Sequence, residues 1–337
     1  LSSFISEFCL LTWLRTLKNN DFLSSFNSIS MLGFCTIPTP CLKAFSTKGI
    51  STAEFKKFLY SFKDEGNFNT HVGMLEGMRG TFQFNRKGIE ELYDIIGENK
   101  NLLFGVAEKP QYYSMFRLDI DRKIKGDEPR ILFSDDDILN KVKEVQTLLR
   151  TTISKEFFKS DLLDCVLLEK APYINEKQQI SNGYHLQFPN LFLSKENIKK
   201  IITILREIDE EVDDITANPW LMYGASKNSL SGSYKASKVF TNDNFQIDPK
   251  DYFQNYKIYD MCENLIQFTK PVEYYYPRIF SINPNNRDVS ELKPEEFKPK
   301  DTKQIKKISK IISKNIDINQ IIKIAKNPDT KLLIYNF

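Results

Sequence analysis

Three short segments of this 337-residue chain hold the residues best suited to chemistry. The first is Arg117-Leu118-Asp119-Ile120-Asp121. Phe116, Leu118 and Ile120 alternate with polar residues, the period of a strand, so Asp119 and Asp121 project from one face. Carboxylates at i and i+2 stand roughly 6.5–7 Å apart at their backbones and can reach inward to share one or two hard cations such as Mg²⁺. In a two-metal site one ion activates an attacking oxygen and the other holds the leaving phosphate oxygens. An edge strand with a solvated acidic face has the same spacing, so this segment alone leaves both readings open.

The second segment is Ser181-Asn182-Gly183-Tyr184-His185-Leu186-Gln187-Phe188-Pro189. Tyr184, Leu186 and Phe188 make its apolar face, which turns His185 and Gln187 the other way. Gly183, two residues before the histidine, leaves room for a bulky ligand such as a triphosphate beside the imidazole. A structural histidine hydrogen-bonded at a sheet surface fits the same pattern. The third segment runs Val212-Asp213-Asp214-Ile215, then Asn218-Pro219-Trp220-Leu221-Met222-Tyr223-Gly224-Ala225-Ser226-Lys227. It adds a third acid and, directly after a short strand, a lysine able to neutralise phosphate as a mobile point cation. An acidic helix end followed by a loop lysine is the plainer alternative.

Strands alternating with amphipathic helices must hold these segments in place. Ser51 and Glu54 form a capping box ahead of Phe55, Phe58, Leu59 and Phe62. A second helix presents Ile89, Leu92, Tyr93 and Ile96, with Gly97 placed to terminate it. Ser134 caps a helix carrying Ile138, Val142, Val145 and Leu149, and the three acids at 135–137 fall in its first turn, where they complement the helix dipole. Residues 162–168 and 184–188 read as strands, Ser194 opens a helix with Ile198, Ile201, Ile202 and Leu205 in register, and residues 220–223 read as a short strand. The pattern predicts a sheet covered by helices. Tyr274, Tyr275 and Tyr276 fit a buried packing cluster or strand, although tyrosines can also stack single-stranded bases.

The chain divides into a poorly defined N-terminal segment 1–50, an ordered region 51–288 and a Lys- and Ile-rich helical appendage 289–337. A formal net charge of +3 leaves any nucleic-acid contact to local clustering of Lys and Arg. Five cysteines without a CxxC pair, and only two histidines, argue against a classical zinc site and a secreted disulfide framework. The apolar run at 4–14 is interrupted by Glu7, ends at Arg15 and falls short of the ~20 residues of a membrane span. The Ser-rich, acid-poor first fifty residues loosely resemble a transit peptide, and the chain starts at Leu rather than Met, so its true start is expected to lie upstream. No GxxxxGK[ST] loop is present, hence no recognisable ATPase motor.

An acidic DxD strand, a [S/G]xH strand and an acid after a hydrophobic residue, followed by a strand ending in Ser-Lys, resemble the archaeo-eukaryotic primases. The likeness is greatest to the primase regions of primase-helicases from large nucleocytoplasmic DNA viruses of the poxvirus and giant-virus type, and more distant to eukaryotic primase-polymerases. Ala107-Glu108-Lys109-Pro110 resembles a TEKP segment of the viral proteins, Gly183-Tyr184-His185 with Phe188-Pro189-Asn190 their GxHxxxP stretch, and residues 220–227 their WLMYGSSK element. Weaker likeness extends from His71 to Ile282.

The resemblance implies an α+β fold, a helical-α/β unit joined to an RRM-like sheet in one catalytic cleft. It implies two divalent ions, Mg²⁺ or Mn²⁺, held by Asp119, Asp121 and Asp213. His185, Gly183 (where other members have Ser), Ser226 and Lys227 fall in the nucleotide-binding positions. The stretch from the third acid to Trp220 is shorter than in several relatives, which leaves Asp214 as an alternative ligand. Some primase-polymerases carry an arginine where this chain has Leu221, so one phosphate contact must come from elsewhere. The implied activity is template-dependent primer synthesis on single-stranded DNA from NTPs or dNTPs, inside the cell at a site of DNA replication: a cytoplasmic viral factory, the nucleus or an organelle. The implied partner is a replicative helicase, fused or separate, and no membrane. The chain is then a fragment of a primase-helicase, the partner of a separate helicase, or a protein that stands alone. A non-catalytic single-stranded-DNA-binding module that tethers a helicase is the competing reading, and a metal-dependent nuclease a third.

Overall fold

The computed structural model describes residues 49–292, apart from 65, 67, 68, 126–131, 176, 229, 230, 244 and 286. The expectations for Cys9, Cys35, Cys41, the apolar run at 4–14 and all but the first residues of the Lys- and Ile-rich appendage 289–337 lie outside the described residues. Among the described residues ten strands form two antiparallel sheets with helices, an α+β arrangement.

The smaller sheet has the order β2-β1-β3-β8, from β1 (His71–Gly73), β2 (Gly80–Phe82), β3 (Val106–Glu108) and β8 (Trp220–Leu221). Helices α1 (Thr52–Tyr60) and α2 (Arg86–Glu98) pack on it through Phe55, Phe58, Leu59, Ile89, Leu92 and Ile96. The Ser51–Glu54 capping box forms as the sequence indicates. Gly97 does not terminate α2, which continues to Glu98 and is capped by Asn99. The lack of a side chain at Gly97 serves packing instead, since a Cβ there would lie 2.3 Å from the carbonyl oxygen of Tyr274.

The larger sheet has the order β10-β9-β5-β7-β4, with β6 (Tyr173–Ile174) also paired to β7. Its strands are β4 (Tyr113–Lys125), β5 (Cys165–Glu169), β7 (Gln179–Ser194), β9 (Lys235–Phe240) and β10 (Gln246–Ile247). Helices α3 (Asp135–Thr152) and α4 (Lys195–Ile208) contribute to one core with the apolar face of these strands, including Leu118, Ile120, Leu167, Leu186 and Phe188. The progression β4-α3-β5-β7-α4-β9 is β-α-β-β-α-β, the element order of split βαβ folds. In α4, Ile198, Ile201, Ile202 and Leu205 are all buried, each contributing about 1.5–3 kcal/mol relative to exposure. Asp135, Asp136 and Asp137 occupy the first turn of α3, and Asp137 completes a capping box with Ser134.

Strand β7 is longer than its alternating residues predict because Pro189 falls where the β4–β7 register slips. Met115 pairs with Phe192 but Arg117 pairs with Gln187. A proline has no N–H to give a ladder, so a bulge is where a long strand accommodates one. The three tyrosines 274–276 form no strand: Tyr274 and Tyr275 end a 3₁₀ turn (Val272–Tyr275), and Tyr276 opens a four-residue helix, α6 (Tyr276–Ile279), after α5 (Pro249–Phe253). Tyr275 and Tyr276 are buried in the cluster that covers Val166, Leu168 and Val239 of the larger sheet. Residues just beyond 288 belong to this packed body, since the Ser290 N–H donates to the Phe192 carbonyl and Leu292 bridges Ile153.

Glu108, the acid of the Ala107-Glu108-Lys109-Pro110 segment, is buried. Its carboxyl accepts hydrogen bonds from the Ile282 N–H at 2.7 Å, Ser281 Oγ at 2.8 Å and Tyr93 Oη at 3.3 Å. It thereby ties β3 to the segment after α6. Glu108→Ala leaves a buried amide and two hydroxyls short of their acceptor, and is expected to cost about 2–4 kcal/mol. The shift of a urea unfolding midpoint measures this, and a change within error would mean Glu108 is not the anchor.

Candidate functional site

The face of β4 and β7 opposite the helices carries the polar row. Cross-strand pairing sets Arg117 against Gln187, Asp119 against His185 and Asp121 against Gly183. The two acids and the histidine of different segments therefore share one sheet face as immediate neighbours. His185 Nε2 lies 3.3 Å from Asp119 Oδ1, and both side chains are largely buried.

Two rings hold the imidazole. Tyr234, just before β9, stacks on it with centroids 3.5 Å apart and planes 25° apart. Trp220 of β8 lies against it at 4.2 Å. Trp220 pairs with Glu108 in the smaller sheet, so the element that resembles WLMYGSSK carries the smaller sheet onto the histidine of the larger one.

Asp213 arrives by a different route. The Glu211 carbonyl accepts from the Asp121 N–H at 3.1 Å, Val212 bridges Ile120, and the Asp213 N–H donates to the Asp119 carbonyl at 2.9 Å. Residues 211–213 thus run along the edge of β4, locked by Glu211, whose carboxylate accepts from Arg122 at 2.6 and 3.1 Å. The adjacent Asp214 turns elsewhere: its Oδ1 accepts from the Thr216 N–H and Oγ1, and its Oδ2 lies 3.8 Å from Arg206 of α4. Asp213 is exposed, and its charge acts on Tyr234 together with those of Asp119 and Asp121.

Ser226 is buried and fixed by its N–H on the Phe104 carbonyl at 2.8 Å, after a turn in which Gly224 takes a φ of +83° that few side chains tolerate. Lys227 follows, exposed. Burial alone would raise the Asp119 carboxyl, but His185, Lys170 and Lys227 outweigh it and hold the group below the usual carboxylate range. Burial likewise raises the Tyr234 hydroxyl, and the three aspartates reinforce the shift.

Lys170 and Tyr234 are site residues that the motifs do not contain. Lys170 follows β5, with its ammonium 4.3 Å from the Tyr234 ring centre and 5.2 Å from that of Tyr173. Burial holds the ammonium below its ordinary range against the pull of Asp121 and Asp119. No local pattern marks either residue, because their part in the site comes from strand pairing distant in sequence.

A family model described as the C962R protein N-terminal AEP domain matches residues 70–240, about half of the chain, including both acidic segments, His185 and Lys227. The chain belongs to the archaeo-eukaryotic primase family. It is also similar to two viral proteins. One is "Putative helicase 184R" of Invertebrate iridescent virus 6, 30% identical over 272 residues, which are 69% of this chain and 27% of the relative. The other is "Putative helicase 121R" of Invertebrate iridescent virus 3, 28% identical over 277 residues, 70% and 29% respectively. The chain spans just over a quarter of the length of these curated relatives. The resemblance to archaeo-eukaryotic primases, and to viral proteins, is borne out.

Divalent metals serve this family generally, and the donor set here suits a hard cation, with Asp119 and Asp121 side by side and the Oδ1 atom of each buried. Among the described residues no group of three or more His, Cys, Asp or Glu is close enough to hold an ion. Mg²⁺ needs only one or two carboxylates when substrate phosphates complete its shell, so Asp119 and Asp121 fit it.

The space at Gly183 is taken by protein. A Cβ there would meet Asp121 Oδ1 at 2.0 Å and the Ile120 carbonyl at 2.8 Å. The room expected for a ligand is filled by the Asp121 carboxylate, which lies over the glycine. Gly183→Ala should therefore rotate that carboxylate away and press on the Ile120 carbonyl, costing about 1–3 kcal/mol of stability. A crystal structure of the variant with Asp121 unmoved would show the contact to be unimportant.

Proposed function

We propose that this chain is the catalytic core of a DNA primase or primase-polymerase, making primers on a single-stranded DNA template by nucleotidyl transfer from NTPs or dNTPs. The observation that carries the reading is the pair of neighbouring rungs Asp119↔His185 and Asp121↔Gly183. They set two carboxylates beside an imidazole and within electrostatic reach of two lysines. A surface built only to bind DNA gains nothing from clustered carboxylates, which repel phosphate.

In this reading Asp119 and Asp121 would hold the metal ions, with Asp213, whose backbone lies along the β4 edge, as the third carboxylate. Bound there, Mg²⁺ or Mn²⁺ would neutralise charge on the attacking and leaving oxygens of an in-line phosphoryl transfer. His185, steadied by Tyr234 and Trp220, donates a hydrogen bond to the triphosphate. Ser226 and Lys227 supply a fixed turn and a mobile cation on the other side. The helical-α/β unit with the smaller sheet and the RRM-like larger sheet then form the two walls of one cleft. Since the curated relatives carry the name helicase, the chain is the primase portion of a primase-helicase or the partner of a separate helicase, acting at a site of DNA replication. No helix among the described residues is long and apolar enough to cross a membrane.

The deciding experiment is primer synthesis on single-stranded DNA with Mg²⁺ or Mn²⁺, comparing NTPs with dNTPs. Nucleotide-dependent product growth is expected, while DNA binding without growth would favour the tethering module and template degradation the nuclease. Asp119→Ala and Asp121→Ala should each abolish synthesis with the fold intact, because neither opens a core cavity. Asp213→Ala should lose most activity, whereas Asp214→Ala, which removes an exposed ion pair, should change the rate by no more than about twofold. The reverse ranking of Asp213 and Asp214 would move the third ligand by one residue.

A further inference from the structure

Lys170 is a cation of the acidic cleft that belongs to none of the three motifs. It follows β5 directly, one residue beyond the cross-strand pair Glu169↔Tyr184. It is therefore level with Gly183, and through that rung with Asp121. Its charge acts on both Asp121 and Asp119, and the like charge of Lys227 acts against it. Two tyrosine rings steady the ammonium without neutralising it, and one of them, Tyr234, is the ring stacked on His185.

A lysine so placed meets two electrostatic situations in turn. With no divalent ion present, it offsets two carboxylates on a mostly buried sheet face. Once divalent ions sit on those carboxylates, the local field reverses and repels the ammonium. Its flexible four-carbon stem lets Nζ move without any backbone change, and the anionic group entering with the metals is the substrate's phosphate chain. We propose that Lys170 is the counterion of Asp119 and Asp121 in the metal-free protein and becomes a ligand of the incoming nucleotide's phosphates when the metals bind. The inference rests on reading the cleft as a nucleotidyltransferase site.

Calorimetric titration of Mn²⁺ into the nucleotide-free chain, and then of dATP in the presence of Mn²⁺, tests both halves. Lys170→Met should bind Mn²⁺ about fivefold tighter and dATP about tenfold weaker than the parent chain, whereas Lys170→Arg, which retains the charge, should change neither by more than about twofold. Lys170→Gln is measured alongside as a second neutral variant. If Mn²⁺ affinity is equal or weaker in both neutral variants, the counterion role is wrong, and unchanged dATP affinity removes the phosphate role. If neither neutral variant unfolds cooperatively on heating, the lysine is structural and the proposal falls. The Mn²⁺ titration needs no catalysis, so a parent chain that binds Mn²⁺ yet makes no primer sinks the primase reading alone. A primer-making chain whose neutral variants match it in both titrations sinks Lys170 alone.

Discussion

The structure is organised around a sheet face that cannot be closed by an apolar core, because it carries two carboxylates and an imidazole. Burying an ionised group without a partner costs several kcal/mol, so everything that covers this face must offset charge as well as exclude water. Three cationic or protonatable groups, on His185, Lys170 and Lys227, surround Asp119 and outweigh the penalty of its burial. The covering surfaces are rings, which present both an apolar body and a negative face. Trp220 and Tyr234 flank the histidine, and Tyr234 and Tyr173 flank the lysine. The opposite face of the same strands has no such constraint and is packed by α3 and α4 with Leu, Ile, Val and Phe.

This asymmetry explains why the site draws on four distant parts of the chain. A single β-ladder supplies the two acids and the histidine, but it has an open edge at β4. Residues 211–213 lie along that edge through the two backbone hydrogen bonds that make the Ile120–Val212 bridge, and the Arg122–Glu211 pair clamps them. The clamp also fixes the registry that distinguishes Asp213 from Asp214, because the Asp213 amide is committed to Asp119 while the Asp214 carboxylate is committed to Thr216. The wall formed by β8 has the same logic: its two residues pair with β3, and Trp220 spans from that pairing to His185.

Much of this was legible in the sequence because strand alternation is local. The residues Leu118 and Ile120 on one face and Asp119 and Asp121 on the other follow from a period of two, as do Tyr184, Leu186 and Phe188 against His185. The helix faces of α3 and α4 and the caps at Ser51 and Ser134 were equally plain, since each is settled within one or two turns. What escaped depends on pairing at long range. Lys170 and Tyr234 look like ordinary residues at the ends of strands until β5 and β9 lie beside β7. Gly97 has the sequence signature of a helix stop, yet its neighbour across the fold, Tyr274, determines why no side chain is present there. Gly183 offers space for a ligand in the sequence, where nothing local says that a cross-strand aspartate fills it.

The contact between the two sheets extends the polar row instead of ending it. Arg117, fully buried beside Asp119 on the same face, donates to Ser114 Oγ and the Met115 carbonyl and places its guanidinium 5.2 Å from the Trp220 ring centre. Burial pushes its pKa down to about 10, with Glu108 of the smaller sheet pulling the other way. Glu108 in turn lies 3.9 Å from His71 of β1, whose imidazole burial pushes down to about 3 and so keeps neutral. His71 and Glu108 of the smaller sheet and Arg117 and His185 of the larger are therefore buried polar or charged side chains, where a hydrophobic seam would be the cheaper way to join two sheets. Apolar seams close until no space remains, whereas fixed charges and hydrogen bonds hold their partners at set distances. For the nucleotide cleft proposed above, the second kind of joint is the suitable one.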